Sequence, residues 1–179
     1  LVELFGKYHV KLVLTQCPHC FNTFKNEYPE FGADFQVIHH SQFIDQLIRT
    51  GKLKLRQESE KVVTFHDPCY LGRYNGIYDS PRDVIKSLGL TTLKEMPRCR
   101  EDNFCCGGGG ANFWYKVNQK KKANLIRLEE ALRLKPNVIA TSCPFCTSML
   151  EDAALSLEAK DSIAVLDIAE LVSGLIESS

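Results

Sequence analysis

An excess of charge of one sign is missing from this 179-residue chain: 22 lysines and arginines face 22 aspartates and glutamates. Proteins that grip nucleic acid or anionic membrane surfaces need surplus cation, so neither is an expected partner. The basic run Lys120–Lys122 is short and reads as a solvated helix face. Also missing is an apolar run near the ~20 residues that span a bilayer, and no secretory leader is read. No Gly-Lys-Ser/Thr follows the glycines at 107–110, which disfavours a phosphate-binding loop. The remainder, 44% hydrophobic and 25% charged, is ordinary for a globular protein of one domain or two small ones. The sequence opens on Leu1 rather than Met, so a fragment is expected, with any upstream anchor or partner domain outside it.

What the chain has is cysteine. Six of eight fall in three tight pairs, Cys17/Cys20, Cys105/Cys106 and Cys143/Cys146. Disulfide frameworks belong to short secreted chains, whereas clustered pairs in an intracellular-looking chain favour metal or redox chemistry. Adjacent residues such as Cys105 and Cys106 strain disulfide geometry, so metal ligation is the first reading.

Two stretches match at a constant offset. Thr15, Cys17, Pro18 and Cys20 recur 126 residues later as Thr141, Cys143, Pro144 and Cys146. Without gaps, Val37–Ile38 falls on Ile163–Ala164 and Ser41 on Asp167, both expected N-caps of apolar helical runs. Each copy reads strand, Cys-Pro-X-Cys, helix, strand, helix, with strands at 9–14 and 137–141. The second copy has an earlier part: a strand at Lys61–Phe65 ending in His66-Asp67-Pro68-Cys69, then a helix opened by Ser80-Pro81 and closed by Gly89. A weaker strand at Thr92–Met96, the Cys105–Gly110 run and a long helix over 112–134 follow. The expected architecture is α/β: two pseudo-repeated units with largely parallel sheets, cysteines at the carboxyl ends of the strands. The expected division is 1–57, the latter part of a first unit, and 58–179, a complete second one. The counterpart of Cys105–Cys106 would then lie roughly twenty residues before Leu1.

Thiolates suit iron–sulfur clusters and zinc. Cys-Pro-X-Cys between strand and helix aims two sulfurs at one point, and the helix N-terminus favours thiolate over thiol. The glycine run offers backbone N–H groups free of Cβ obstruction. Cys69, Cys105, Cys106, Cys143 and Cys146 are one ligand too many for a tetrahedral site. Their spacing is also too long for a zinc ribbon, with 36 residues between Cys106 and Cys143.

Cys69, 35 residues, Cys105-Cys106, 36 residues beginning with Gly107, and Cys143-X-X-Cys146 resemble the cysteine-rich CCG domain of the B-like and D-like heterodisulfide reductase proteins. The same domain occurs in the iron–sulfur subunits of glycolate oxidase and anaerobic glycerol-3-phosphate dehydrogenase, and in lactate-utilisation proteins. His66-Asp67-Pro68-Cys69-Tyr70-Leu71-Gly72-Arg73 and Asn103-Phe104-Cys105-Cys106-Gly107 carry the local likeness. The resemblance implies a [4Fe–4S] cluster, noncubane in heterodisulfide reductase, on Cys69, Cys105, Cys106, Cys143 and Cys146. Cys17 and Cys20 match the closing pair of a preceding domain, an incomplete second site that in this family carries zinc or has lost its metal. The implied role is an oxidoreductase subunit, passing electrons between a flavoprotein or ferredoxin-type donor and a disulfide or quinone acceptor. The implied location is the cytoplasm, peripheral to the inner face of a membrane through an upstream quinone-linked subunit.

Two other classes stand beside this reading. Cys17-Pro18-His19-Cys20 has the layout of a thiol–disulfide oxidoreductase site, and a zinc-folded interaction module would use the same thiols without electron transfer. Cys99 lies outside the motif and reads as an incidental thiol. His19 reads as a partly exposed helix residue, His66 and Asp67 as shapers of the turn before Cys69, and His39–His40 as structural. Phe113, Trp114 and Tyr115 are expected to cap the core and screen a cluster from water, and Arg73 and Arg100 to neutralise its charge.

Overall fold

A computed structural model describes residues 1–56, 58–115, 121–159 and 162–177. The chain runs α1 (Val2–Lys7), β1 (Leu12–Thr15), α2 (Pro18–Asn22), β2 (Gln36–His39), α3 (His40–Arg49), β3 (Glu58–Phe65), α4 (Asp79–Lys86), β4 (Gly89–Leu93), α5 (Ala123–Leu132), β5 (Val138–Thr141), α6 (Pro144–Ser156), β6 (Ala164–Asp167) and α7 (Ile168–Ser173). All strand pairs are parallel: β1 with β2, and a four-stranded sheet in the order β4-β3-β5-β6. The α/β class with parallel sheets is therefore what forms.

The alternation of side chains along β5 separates two cores. Val138 and Ala140 join Val63 and Phe65 of β3 against α4 (Val84, Ile85) and α7 (Ile168, Leu171, Val172), with Ile44 and Ile48 of α3 at the margin. Ile139 faces the other way, onto Leu128 and Ala131 of α5 and Leu150, Ala153 and Ala154 of α6. Helices thus cover both faces of the larger sheet, and all four residues of β5 are buried. Each fully buried Leu or Ile here contributes about 1.5–3 kcal/mol.

The order β4-β3-β5-β6 decides where a site can lie. From β3 the chain moves outward to β4, then returns to the other side of β3 and continues outward to β6. The loops after β3 and β5 therefore diverge, leaving a crevice at the carboxyl ends of these two strands. Cys69 follows β3, and Cys143 follows β5 as the N-cap of α6, with Pro144 in that helix's first turn.

Several local expectations shift. α3 is capped by His39, whose side chain accepts from Ser41 N–H while Gln42 closes a capping box, so Ser41 lies inside the helix. Asp167 caps α7 in the same way with Glu170. The equivalent caps are thus 128 residues apart, and the ungapped alignment slips by two after the Cys pairs. α4 starts at Asp79, with Pro81 in its third position, where a missing N–H costs nothing because first-turn donors lack intrahelical partners. β4 begins at Gly89 (φ 79°) rather than Thr92, and Met96 is buried beyond its end. The long helix expected at 112–134 is α5 alone, Ala123–Leu132, among the described residues. Gly110 (φ 62°) and Ala111 (φ 63°) reverse the chain. Asn112 and Trp114 then donate to carbonyls three residues back, as turns do. Residues 116–120, including the start of the basic run Lys120–Lys122, lie outside the described set.

Candidate metal centre

The crevice is lined by Pro68, Cys69 and Tyr70 from the turn after β3, Cys106, Gly108 and Gly109 from the glycine loop, Cys143, Phe145 and Cys146 from the start of α6, and Pro18 and His19 from α2. About 270 Å³ of space between atoms, part of it open to solvent, lies within it. The turn after β3 is built on Asp67, buried at 1% exposure, which takes both ends of the Arg82 guanidinium at 2.7 and 2.9 Å and the Arg100 N–H at 2.8 Å. Arg82 also clamps Glu95 at 2.7 and 2.9 Å, so one buried cation ties the β3 turn to α4 and to the segment after β4. His66 is held from α5: Arg127 Nε donates to its Nδ1 at 3.0 Å, while Arg127 Nη1 donates to Arg98 O and to Glu130.

The five cysteines of the motif interact in one unbroken series, Cys69–Cys105–Cys106–Cys146–Cys143. His19 extends it to Cys17, whose Sγ lies 3.9 Å from His19 Nδ1. Two of the five, Cys105 and Cys143, are held toward thiolate, and the other three toward thiol. Cys106 and Cys69 donate to Cys105, and Gly107 N–H adds a bond at 3.3 Å, so the Cys105 thiol is held far below its ordinary value. Cys146 and then His19 bring Cys143 down to about 5 against burial. Their partners go the other way: Cys69 upward through Cys105, Cys106 to about 12 through Cys105, and Cys146 upward through Cys106 and Cys143. Thiols packed this closely can all ionise only when a cation lies among them.

Backbone and orphan atoms fit such a cation. A Cβ on Gly108 would sit 3.2 Å from Met149 Cγ and 3.7 Å from Cys106 Sγ, whereas one on Gly107, at φ 89°, would meet the Ala123 Cβ at 3.0 Å. Among the described residues, four of the seven buried polar atoms without a partner lie on the same segments: Ser142 Oγ before Cys143, both amide atoms of Asn103 two residues before Cys105, and Arg127 Nη2 beside His66. Buried groups left this way point to a bound species in the native molecule. The donor set, sulfur with one nearby imidazole, is that of a soft or borderline metal or an iron–sulfur centre.

The remaining expected residues sort as follows. Cys17 caps α2 and is pulled down by His19 against burial, while Cys20 is exposed and pushed up by burial and by Cys17. His19 is more than a helix residue: half-buried, it bridges Cys143 and Cys17, which raise it to about 9, and it packs 4.2 Å from the Tyr70 ring. Cys99 borders the Glu95, Arg82, Asp67 and Arg100 charges rather than the thiol series. Arg73 donates to Glu101 O and Asn103 O, and Arg100 binds Asp79, so both serve the loop. Phe113 and Trp114 do not cap the core. They lie exposed and pack edge-on against Phe145 at 5.1 and 5.6 Å, at the rim of the crevice, and Tyr115 is 71% exposed. His39 and His40 are structural, and His40 binds Asp167 at 2.8 Å. The buried cations the sequence reading missed are Arg82 and Arg127. Each sits on the apolar stripe of its helix, Arg82 three residues before Ile85 and Arg127 four before Ala131, and that placement was the available signal.

Residues 63–151 match the model of the cysteine-rich CCG domain. The chain is 42% identical over 172 residues to the probable iron-sulfur-binding oxidoreductase FadF of Bacillus subtilis, a match spanning 96% of this chain and 24% of that protein. It is 38% identical over 178 residues to the EtfAB:quinone oxidoreductase of Syntrophomonas wolfei, spanning 96% and 25%. It is 35% identical over 175 residues to one of the subunits of the dihydromethanophenazine:CoB–CoM heterodisulfide reductase of Methanosarcina barkeri, spanning 96% and 42%. The chain thus covers about a quarter to two-fifths of the length of these curated relatives.

Proposed function

The chain belongs to the cysteine-rich CCG domain family through residues 63–151, and from that premise we propose that it is the cluster-binding part of an iron–sulfur oxidoreductase. Cys69, Cys105, Cys106, Cys143 and Cys146 hold one [4Fe–4S] cluster, of cubane or noncubane form. When bound, the cluster supplies one-electron chemistry. The chain's own residues fix its sulfur ligands beside two strand ends, shield it with Phe145 and Tyr70, and brace the segments that carry them with the buried Arg82 and Arg127. Electrons pass between a flavoprotein or ferredoxin-type donor and a disulfide or quinone acceptor; a quinone and a heterodisulfide stand in the names of two of the relatives. Residues 58–179 form the cluster domain and 1–57 the latter part of a preceding one, whose Cys17 and Cys20 form an incomplete site for zinc. The proposed location is the cytoplasm, beside a membrane-bound quinone partner. No helix among the described residues is long and apolar enough to cross a membrane.

The observation that carries the proposal is the gathering of the five motif cysteines at the crevice between the β3 and β5 loops: Cys106, Cys143 and Cys146 are buried together with Cys105 packed on them, and Cys69 lines the same crevice. Four would satisfy a single zinc. The test is iron, sulfide and zinc analysis with electron paramagnetic resonance on protein purified without oxygen. About four irons per chain are expected, lost in a Cys105→Ser/Cys106→Ser variant. One zinc and no iron would sink the proposal and leave a zinc-folded module.

A further inference from the structure

His66 lies among the thiols without being one of them. A ring nitrogen of His66 and the sulfurs of Cys106 and Cys146 all fall within 4.8 Å of one another, a grouping that on distance alone could hold a metal ion. The partner on the far side of the ring decides otherwise. Arg127, fully buried, donates its Nε–H to His66 Nδ1 at 3.0 Å. A guanidinium has donors and no acceptor, so Nδ1 must accept. The imidazole proton is therefore confined to Nε2, and a doubly protonated ring would set N–H against N–H.

Metal-bound histidines donate through their second nitrogen to a carboxylate, carbonyl or water. Here the second nitrogen accepts from a cation, the reverse arrangement, which withdraws electrons from the ring and disfavours ligation. Among the described residues the His66 side chain makes no other hydrogen bond, and the residue is only 1% exposed. Cys106 and Cys146 place sulfur acceptors beside the ring.

We propose that His66 donates an Nε2–H···S hydrogen bond to the cluster centre at Cys106/Cys146, and that Arg127 is the positioning residue that fixes its tautomer. This rests on the iron–sulfur reading above. On reduction the cluster gains negative charge and its sulfurs become better acceptors, so a fixed donor stabilises the reduced form more and raises the potential. Arg127 strengthens the donor by polarising the ring.

The experiment compares wild-type chain, His66→Leu and His66→Gln, purified without oxygen. Glutamine preserves both roles, since its carbonyl can accept from Arg127 and its amide can donate. Iron and sulfide are counted first: a wild-type chain without iron removes the cluster reading and this proposal together. With iron present, the ¹⁵N shifts of His66, assigned by their loss in His66→Gln, should report the Nε2–H tautomer in the EPR-silent state. His66→Leu should keep its iron and titrate at a more negative midpoint potential, and His66→Gln should return toward wild type. A protonated Nδ1, or an unchanged potential in an iron-loaded His66→Leu, overturns the proposal. Loss of iron in both variants makes His66 a ligand and overturns it too. The tautomer is read in wild type, so a variant that fails to fold does not prevent a decision.

Discussion

At the scale of single residues, buried charge and buried imidazole set the sensitivities of the molecule. Arg82 and Asp67 form a two-pronged pair at 2% and 1% side-chain exposure. Removing one partner strands the other, so Arg82→Met should cost about 3–5 kcal/mol in denaturant unfolding. It should also free the turn that carries Cys69, whereas removal of the exposed Lys86–Asp83 contact should change stability by less than about 1 kcal/mol. His39 supplies the pH dependence. Its Nε2 donates to Gln16 O at 3.0 Å and its Nδ1 accepts from Ser41, so both nitrogens are committed to the neutral ring. Burial, then His40, lower it to about 3, with Asp167 and the Ser142 carbonyl opposing. The unfolded chain takes up a proton near pH 6.5 and the folded chain does not, so stability should fall as pH drops from about 6.5 toward 3. His66 has the same sign. The His39 share is the difference between wild type and His39→Gln, at most ~2–3 kcal/mol by about pH 4.5. Equal slopes for the two would refute the assignment.

At the scale of elements, a helix cap is one of the places where residues 1–57 meet residues 58–179. Asp167 caps α7 through Ala169 N–H at 2.9 Å and also receives His40 Nε2 of α3 at 2.8 Å. Asp167→Ala should lose the cap, about 1 kcal/mol, and the bond between halves as well. A double-mutant cycle with His40→Ala should show coupling above about 0.5 kcal/mol. Strict additivity would mean that the His40–Asp167 bond contributes nothing beyond the cap, and that the other contacts between the segments, such as Arg56 with Gly174 and Asn75 with Asn22, hold them together. Elements were legible in the sequence wherever a short apolar run met a cap or a Cys-Pro junction, as in β3, β5, α6 and α7. They were misplaced where a local signal had two uses. Pro81 marks a helix start but is tolerated anywhere in the first turn, and the apolar Phe113–Tyr115 continue a helical pattern that Gly110 and Ala111 break. In the site, the five cysteines were legible from spacing, and their meeting follows from the strand order β4-β3-β5-β6. The arginines that support them were not, because an arginine on an amphipathic helix looks solvated until the partner carboxylate, distant in sequence, is known.

At the scale of the whole molecule, the glycine loop and α6 close on the same sulfurs from opposite sides. Gly107→Ala, with φ 89° and the Ala123 Cβ at 3.0 Å, should lower the metal content of purified protein by severalfold while leaving the helical circular dichroism intact. A metal content equal to wild type would show that the loop yields. The smaller sheet behaves differently. β1 is bonded on one side only, to β2, and two leucines on its open strand, Leu12 and Leu14, are 51% and 50% exposed. A parallel strand edge with unspent backbone donors and acceptors is a template, and any extended segment of suitable register can be copied onto it. The solubility ceiling of the isolated chain should therefore be set at β1 rather than at the thiols. Leu14→Lys should raise the concentration at which light scattering begins, in the presence of reductant and at unchanged metal content. The strand that leads into the Cys17 turn is, left uncovered, also a seed for filament growth.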